Sequence, residues 1–220
     1  VPVLILDKGR GVGGRMATRH IGNGRVDHGA QFFTVRSGQF AQRVAEWQEA
    51  GVVSQWGQGF ADDKGSLPSG EYFRYRGVDG MTSVPKHLAE GQNMHLQTRI
   101  AAVSKEENHW LVRSQSGETF CGQALILTPP VPQSLELLKA GHVSLPSDIK
   151  RELERIEYEP CLALLAVFGG AGQIPAPGGL RFSEGPIAWM ADSYQKGISP
   201  DAYTVTIHAA PDFSRLHWQT

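Results

Sequence analysis

Residues 2–7, PVLILD, contain five apolar residues out of six and leave no polar face. A strand of that kind must be covered on both sides, which is the condition of a parallel sheet flanked by helices. The residues after it limit what the covering can be. Gly9, Gly11 and Gly14 fit the spacing G-x-G-x-x-G, but the following stretch, RMATRHIGNGRV, has no apolar stripe at helical spacing and is broken by Gly22, Asn23 and Gly24. In a dinucleotide fingerprint the third glycine opens a helix, and an acid follows ~20 residues later. Here the acid, Asp7, precedes the glycines. The loop therefore reads as something other than the first phosphate-binding turn of such a fold.

Further along, Phe40, Val44 and Trp47 recur at helical spacing and predict a helix over 39–50, stopped by Gly51. A short strand is expected at 72–76 within turn-rich sequence, with residues 65–71 read as a turn. A second helix begins at Thr82 or Ser83, with Met81, Val84 and Leu88 as its inward stripe and Gly91 as its end. Alternation over 94–128, divided by turn clusters at 105–108 and 114–118, predicts an antiparallel meander. Its last run, ALILT at 124–128, has no polar face before Thr128 and reads as a strand returning to the parallel sheet. After Pro129, Pro130 and Pro132 come two helices, the second capped by Ser147, and then apolar strands at 161–170, 187–193 and 203–211. The expected fold class is α/β with α+β character. It comprises residues 1–60 and 93–135 as one domain, and 61–92 and 136–220 as a second, more β-rich domain.

Composition removes several function classes. Lys and Arg number 21 against 22 Asp and Glu, a balance that gives no support for nucleic-acid binding or for a basic membrane surface. No apolar run approaches the ~20 residues needed to span a bilayer. Cys121 and Cys161 are far apart, with no C-x-x-C or Cys/His cluster, and read as buried reduced thiols of a cytoplasmic protein. No histidine pair has metal-ligand spacing, so no metal is expected, and there is no G-x-S-x-G elbow for hydrolysis. His20 and His28 read as polar loop residues. His208 has two readings, a half-buried core histidine or a residue beside a substrate. Trp47 and Trp110 fit core packing, whereas Phe182 and Trp189 have two readings, core packing or the wall of a flat pocket.

The glycine loop makes chemical sense when taken with its neighbours. An acid at the carboxyl end of a parallel strand accepts two ribose hydroxyls. Paired glycines let backbone approach a diphosphate, and Arg15 offers a fork of donors to phosphate oxygens. Asp7 and Lys8, then Gly14-Arg15-Met16, then DHGAQFF at 27–33 occur in the order that characterises the flavin-containing amine oxidase superfamily. With GVDGMTSVPKHLA, LILTPPVPQSLELL and YTVTIHAAPDFS, nearly the whole chain resembles its renalase branch.

That resemblance implies an FAD-binding, Rossmann-like domain with the meander inserted, interleaved with a substrate domain. It assigns Asp7, with Lys8 beside it, to the adenosine ribose, and Gly14, Arg15 and Met16 to the length of the cofactor. Gly29, Ala30, Gln31 and Phe32 would run beside the isoalloxazine, Ile100 would offer its backbone to the adenine, and Thr128 and Pro129 would approach at the sheet edge. The implied activity is oxidation of isomeric dihydronicotinamide dinucleotides, small-molecule substrates, with molecular oxygen as second substrate and hydrogen peroxide as product. No nucleic-acid or membrane partner is expected. An amine oxidase or desaturase-like enzyme of the same superfamily is the second reading. Relatives carry a true G-x-G-x-x-G unit before the strand matching residues 2–7, and a further flavin motif after the last residues here. The chain is therefore expected to be an internal piece of a longer enzyme, and a non-catalytic remnant is the third reading.

Overall fold

In the computed structural model, residues 2–67 and 69–219 are described; Val1, Pro68 and Thr220 lie outside the description, Pro68 within the turn expected at 65–71. The chain divides into two compact units, Val1–Gly11 with Gly91–Tyr158, and Val12–Glu90 with Glu159–Thr220. The chain crosses between them at 11/12, 90/91 and 158/159.

In the first unit, Leu4–Leu6 pairs in parallel with Asn93–His95, Leu4 opposite Asn93 and Leu6 opposite His95. The pairing is parallel as the apolar run predicts, but the covering is incomplete: Val3 and Leu4 are exposed and Leu6 is only half-buried. The antiparallel meander is present as Ile100–Glu106, His109–Ser114 and Thr119–Gly122. The helix Val131–Ala140, with Pro132 in its first turn where no N–H is needed, buries Leu138 against Val103 and Val112 of the meander. The helix Ser147–Glu154 follows, with Pro146 in the cap position and Ser147 as its first helical residue, so the expected serine cap is one place late. Residues 124–128 correct a larger expectation. They alternate inward and outward, Leu125 and Leu127 packing on the core and Ile126 standing 85% exposed, but join no ladder among the described residues. An apolar run specifies a strand only where a neighbouring edge can take its amides.

In the second unit, the stretch that resists a helix, 18–27, is a hairpin of Thr18–Ile21 with Gly24–Asp27 across a Gly22–Asn23 turn. Gly22 has φ 57°, the left-handed value such a two-residue turn needs. The helix Gly38–Glu49 is capped by the Ser37 hydroxyl, which accepts from the Phe40 N–H at 3.3 Å, and it buries Val44 and Trp47. Its core partners are Val53, on the strand Val53–Gly57, and Val84 of the helix Ser83–Ala89. Leu88 of that helix is 55% exposed and leaves the predicted inward stripe to Met81 and Val84. The strand expected at 72–76 forms as Arg74–Gly77, between Phe33–Thr34 and Val53–Gly57.

The larger sheet runs in the order Ala163–Phe168, Tyr203–Ala209, Ile187–Asp192, Gly179–Arg181 and Ala61–Asp62. Its first strand is an edge, with Leu164, Val167 and Phe168 exposed. Cys121 and Cys161 are both free and both exposed, which corrects their reading as buried thiols. Among the described residues no helix is long and apolar enough to cross a membrane.

Candidate functional site

The densest polar cluster of the second unit lies under the loop of residues 28–32. Asp27, at the end of its hairpin strand, and Lys196 are buried, their side chains 1% and 0% exposed, and they pair at 2.7 Å. Water cannot share that charge, so every remaining lone pair matters. Asp27 Oδ1 accepts from the Thr18 hydroxyl at 2.5 Å and the Met81 N–H at 2.8 Å, while Oδ2 takes the Lys196 ammonium. The ammonium reaches Gln31 Oε1 at 3.4 Å and sits 4.7 Å from the Trp56 ring centroid. Burial pushes the Lys196 ammonium below its usual range, and the Asp27 charge opposes that shift.

The Gln31 amide is consumed in holding its own loop. Its Nε2 donates to the Asp27 carbonyl at 2.6 Å and to the Gly29 carbonyl at 3.1 Å. The loop is fixed from the other side as well, since the Ala30 N–H donates to the Arg15 carbonyl at 2.9 Å. Gly29 presses so closely on that carbonyl that a Cβ would collide with it. The loop leads into Phe32, whose ring packs with those of Trp56, Phe60 and Trp189 at centroid distances of 5.3–6.2 Å.

Above this support lies a cleft of about 420 Å³. Residues of the loop, Gly29, Gln31 and Phe32, form one side; Arg181, Phe182, Ala188, Trp189 and His208 form the rest. His208 Nε2 lies 3.0 Å from the His28 carbonyl and must donate to it. Burial is the largest influence on that imidazole and lowers it, the hydrogen bond to His28 raises it, and the Lys196 charge lowers it again. The net shift is downward, so near neutral pH His208 carries its proton on Nε2 and a lone pair on Nδ1. Trp189 Nε1 and His28 Nδ1 are buried polar atoms with no partner among the described residues.

The sequence candidates fall in both units. In the second, Gly14, Arg15 and Met16 form a short 3₁₀ turn with Gly14 at φ 50° and open space beside its backbone; Gly14 and Arg15 are exposed. Residues 29–32 and His208 come together in the cleft, with the flat-pocket candidates Phe182 and Trp189. In the first unit, Asp7 stands at the carboxyl end of the parallel strand. Its Oδ1 accepts from the Gly9 N–H at 2.6 Å, and Lys8 beside it is exposed. Ile100 begins the meander and packs on its core. Thr128 is exposed and Pro129 half-buried, at the end of an extended segment rather than of a ladder strand. Trp47 is core, as expected, and Trp110 is half-buried against the core of the first unit.

Asp27, Lys196 and Trp56 were missed by sequence reasoning. Asp27 was within reach, since an acid closing the strand Gly24–Asp27 beside a glycine loop needs a cation or donors once it is buried. Lys196, in SYQKG, has the look of any solvated lysine, and its partner is 169 residues away.

The comparisons with known proteins can be set against this geometry. Residues 57–192, more than half of the chain, match the model of the flavin containing amine oxidoreductases, and residues 1–47 match an NAD(P)-binding Rossmann-like domain. Renalase from Mus musculus is 27% identical over 185 residues, covering 80% of this chain and 53% of that protein. The chain thus spans about half the length of that relative. Among solved structures, putrescine oxidase bound to putrescine superposes with a TM-score of 0.68 at 11% identity, covering 98% of this chain and 72% of that one. A Pyrococcus furiosus protein gives 0.67 at 12% identity, covering 95% and 74%. At such identities these structures speak for the fold alone, a mixed α/β fold with a Rossmann-like part. A family match over this share of the sequence decides membership: the chain belongs to the flavin-containing amine oxidoreductases, FAD-dependent oxidoreductases by family.

Proposed function

We propose that this chain is the core of a renalase-type oxidase acting on isomeric dihydronicotinamide dinucleotides. The carrying observation is the character of the cleft. Its walls are aromatic, its ionisable residues are a neutral imidazole and a guanidinium, and among the described residues no carboxylate lines it. Such a site suits a flat, electron-rich neutral ring better than a cationic amine, and the likeness to renalase supports the same choice.

The residues present fit the cofactor of the family. In this reading Asp7, with Oδ2 unused among the described residues, accepts ribose hydroxyls, with Lys8 beside it. Gly14 and Arg15, followed by Met16, give an open backbone and an exposed guanidinium for the diphosphate. Residues 29–32 offer backbone along the ring, because the Gln31 amide is already engaged. Trp189 Nε1 is an unused donor in a lining residue. Ile100, Thr128 and Pro129 complete the set in the first unit. Bound at these residues, FAD would supply the hydride acceptor, with oxygen as the terminal oxidant and hydrogen peroxide as its product. The chain's own part is to hold the loop, keep the cleft walls dry, and keep His208 neutral with a lone pair for a substrate N–H or O–H. A cytoplasmic setting belongs to this reading and is supported by the unpaired Cys121 and Cys161.

The test is optical. After incubation with FAD and removal of the free cofactor, the chain is expected to keep a two-peaked flavin band. Isomeric dihydronicotinamides should then bleach that band without air, and readmitted oxygen should yield peroxide. Bleaching by primary amines alone would give the site to the amine oxidase reading. A folded but colourless protein would take the activity away from these 220 residues.

A further inference from the structure

Arg181 stands in the cleft wall with no ion pair among the described residues. It lies on the strand Gly179–Arg181, in antiparallel register with Trp189, so the two side chains leave the same face of the sheet. Asp62 is its partner on the neighbouring parallel strand, and Asp63 follows. Both acids are engaged elsewhere. Asp62 Oδ1 accepts from the N–H groups of Lys64 and Ser66 at 3.0 and 2.8 Å, and Asp63 accepts from the Ser183 N–H and hydroxyl at 3.4 and 3.3 Å. Among the described residues no carboxylate forms an ion pair with Arg181.

A second guanidinium deepens the imbalance. Arg74 lies over the rings of Phe60 and Phe32, 5.6 and 6.0 Å from their centroids. Burial first, and the Arg181 charge second, lower its pKa from the ordinary value. The cleft therefore offers aromatic surface beside the Arg181 guanidinium, which forms no ion pair among the described residues, with Arg74 close behind Phe32 though not in the lining. A planar ring takes the first, and an oxyanion matching a guanidinium fork takes the second.

We propose that Arg181 selects phosphate-bearing ring ligands for this cleft, pairing with a phosphate and disfavouring cationic amines. The proposal rests on the dihydronicotinamide reading above and adds to it the residue that reads the anionic part of the substrate.

Nicotinamide mononucleotide and nicotinamide riboside differ by one phosphate and make a matched pair of probes. Equilibrium dialysis against the protein in saturating FAD is expected to show the mononucleotide bound about tenfold more tightly at low ionic strength. The gap should narrow as salt is added, because Arg181 is exposed. Arg181→Gln should close the gap from both sides, weakening the mononucleotide and modestly tightening the riboside, whose ring is a pyridinium cation, while Arg181→Lys keeps part of it. Equal affinities in the parent chain, or a gap that survives Arg181→Gln, would overturn the proposal. So would weakened FAD retention in Arg181→Gln, which would assign the guanidinium to the cofactor. The two readings fail separately. A phosphate gap without bleaching by dihydronicotinamides sinks the substrate reading, and bleaching with no phosphate gap sinks the role of Arg181.

Discussion

Lys196 and Asp27 form the pair on which the candidate site rests. Removing either member leaves the other charged and buried, and a broken buried pair costs about 3–5 kcal/mol. Lys196→Met is expected to lower unfolding stability by about 3 kcal/mol, read from urea denaturation. Asp27→Asn should cost a similar amount, since Asp27 also takes the Thr18 hydroxyl and the Met81 N–H. The double variant should lose about 1–3 kcal/mol less than the sum, and strict additivity would show that the pair is not coupled. His208 makes a pH prediction. Its folded pKa lies below the unfolded value of about 6.5, so the unfolded chain takes up the proton first as pH falls. The stability that neutral His208 contributes is whole above about pH 6.5 and drains as pH drops toward the folded value. Urea midpoints of the parent chain and His208→Gln should therefore converge between pH 8 and pH 5. A constant difference would mean that His208 does not titrate in that window.

At the level of elements, the loop of residues 28–32 is rigid because it is tied at both ends of its width. Gln31 holds it to Asp27, and the Arg15 carbonyl holds Ala30. Gly29→Ala would force a Cβ onto that carbonyl and should cost about 1–3 kcal/mol, with a lower melting temperature and weaker FAD retention. An unchanged melting temperature would show that the loop yields freely. Elements whose signal is local were legible in the sequence. The helix over 39–50 showed in Phe40, Val44 and Trp47, the meander in its alternation, and the strands around Trp189 and His208 in their apolar runs. Elements that depend on a neighbour were not. Residues 124–128 and 161–170 have the same all-apolar look, yet among the described residues the first joins no ladder and the second supplies an exposed edge strand. Leu88 and the two cysteines fail for the same reason: hydrophobicity says what a side chain would gain from burial, and only packing partners decide whether it is buried. The cleft was half-legible. Loop and histidine were visible as motifs, whereas the Asp27–Lys196 support joins residues with no pattern between them.

For the molecule as a whole, each unit has its own core, Val103, Val112 and Leu138 in one, and the aromatic and aliphatic clusters around Trp47 and Trp56 in the other. The chain leaves the first unit and re-enters it, and its first crossing falls between Gly11 and Val12. Gly9, whose N–H meets Asp7, ends its service in one unit; Gly13 and Gly14, at φ 128° and 50°, open the other. The spacing at 9, 11 and 14 that reads as a single phosphate signature is thus two syllables of different words run together by the alphabet. A pattern search that scores it whole takes a border between two units for one continuous turn, and an alignment that slides the loop by one glycine would hand residues of one unit to the other.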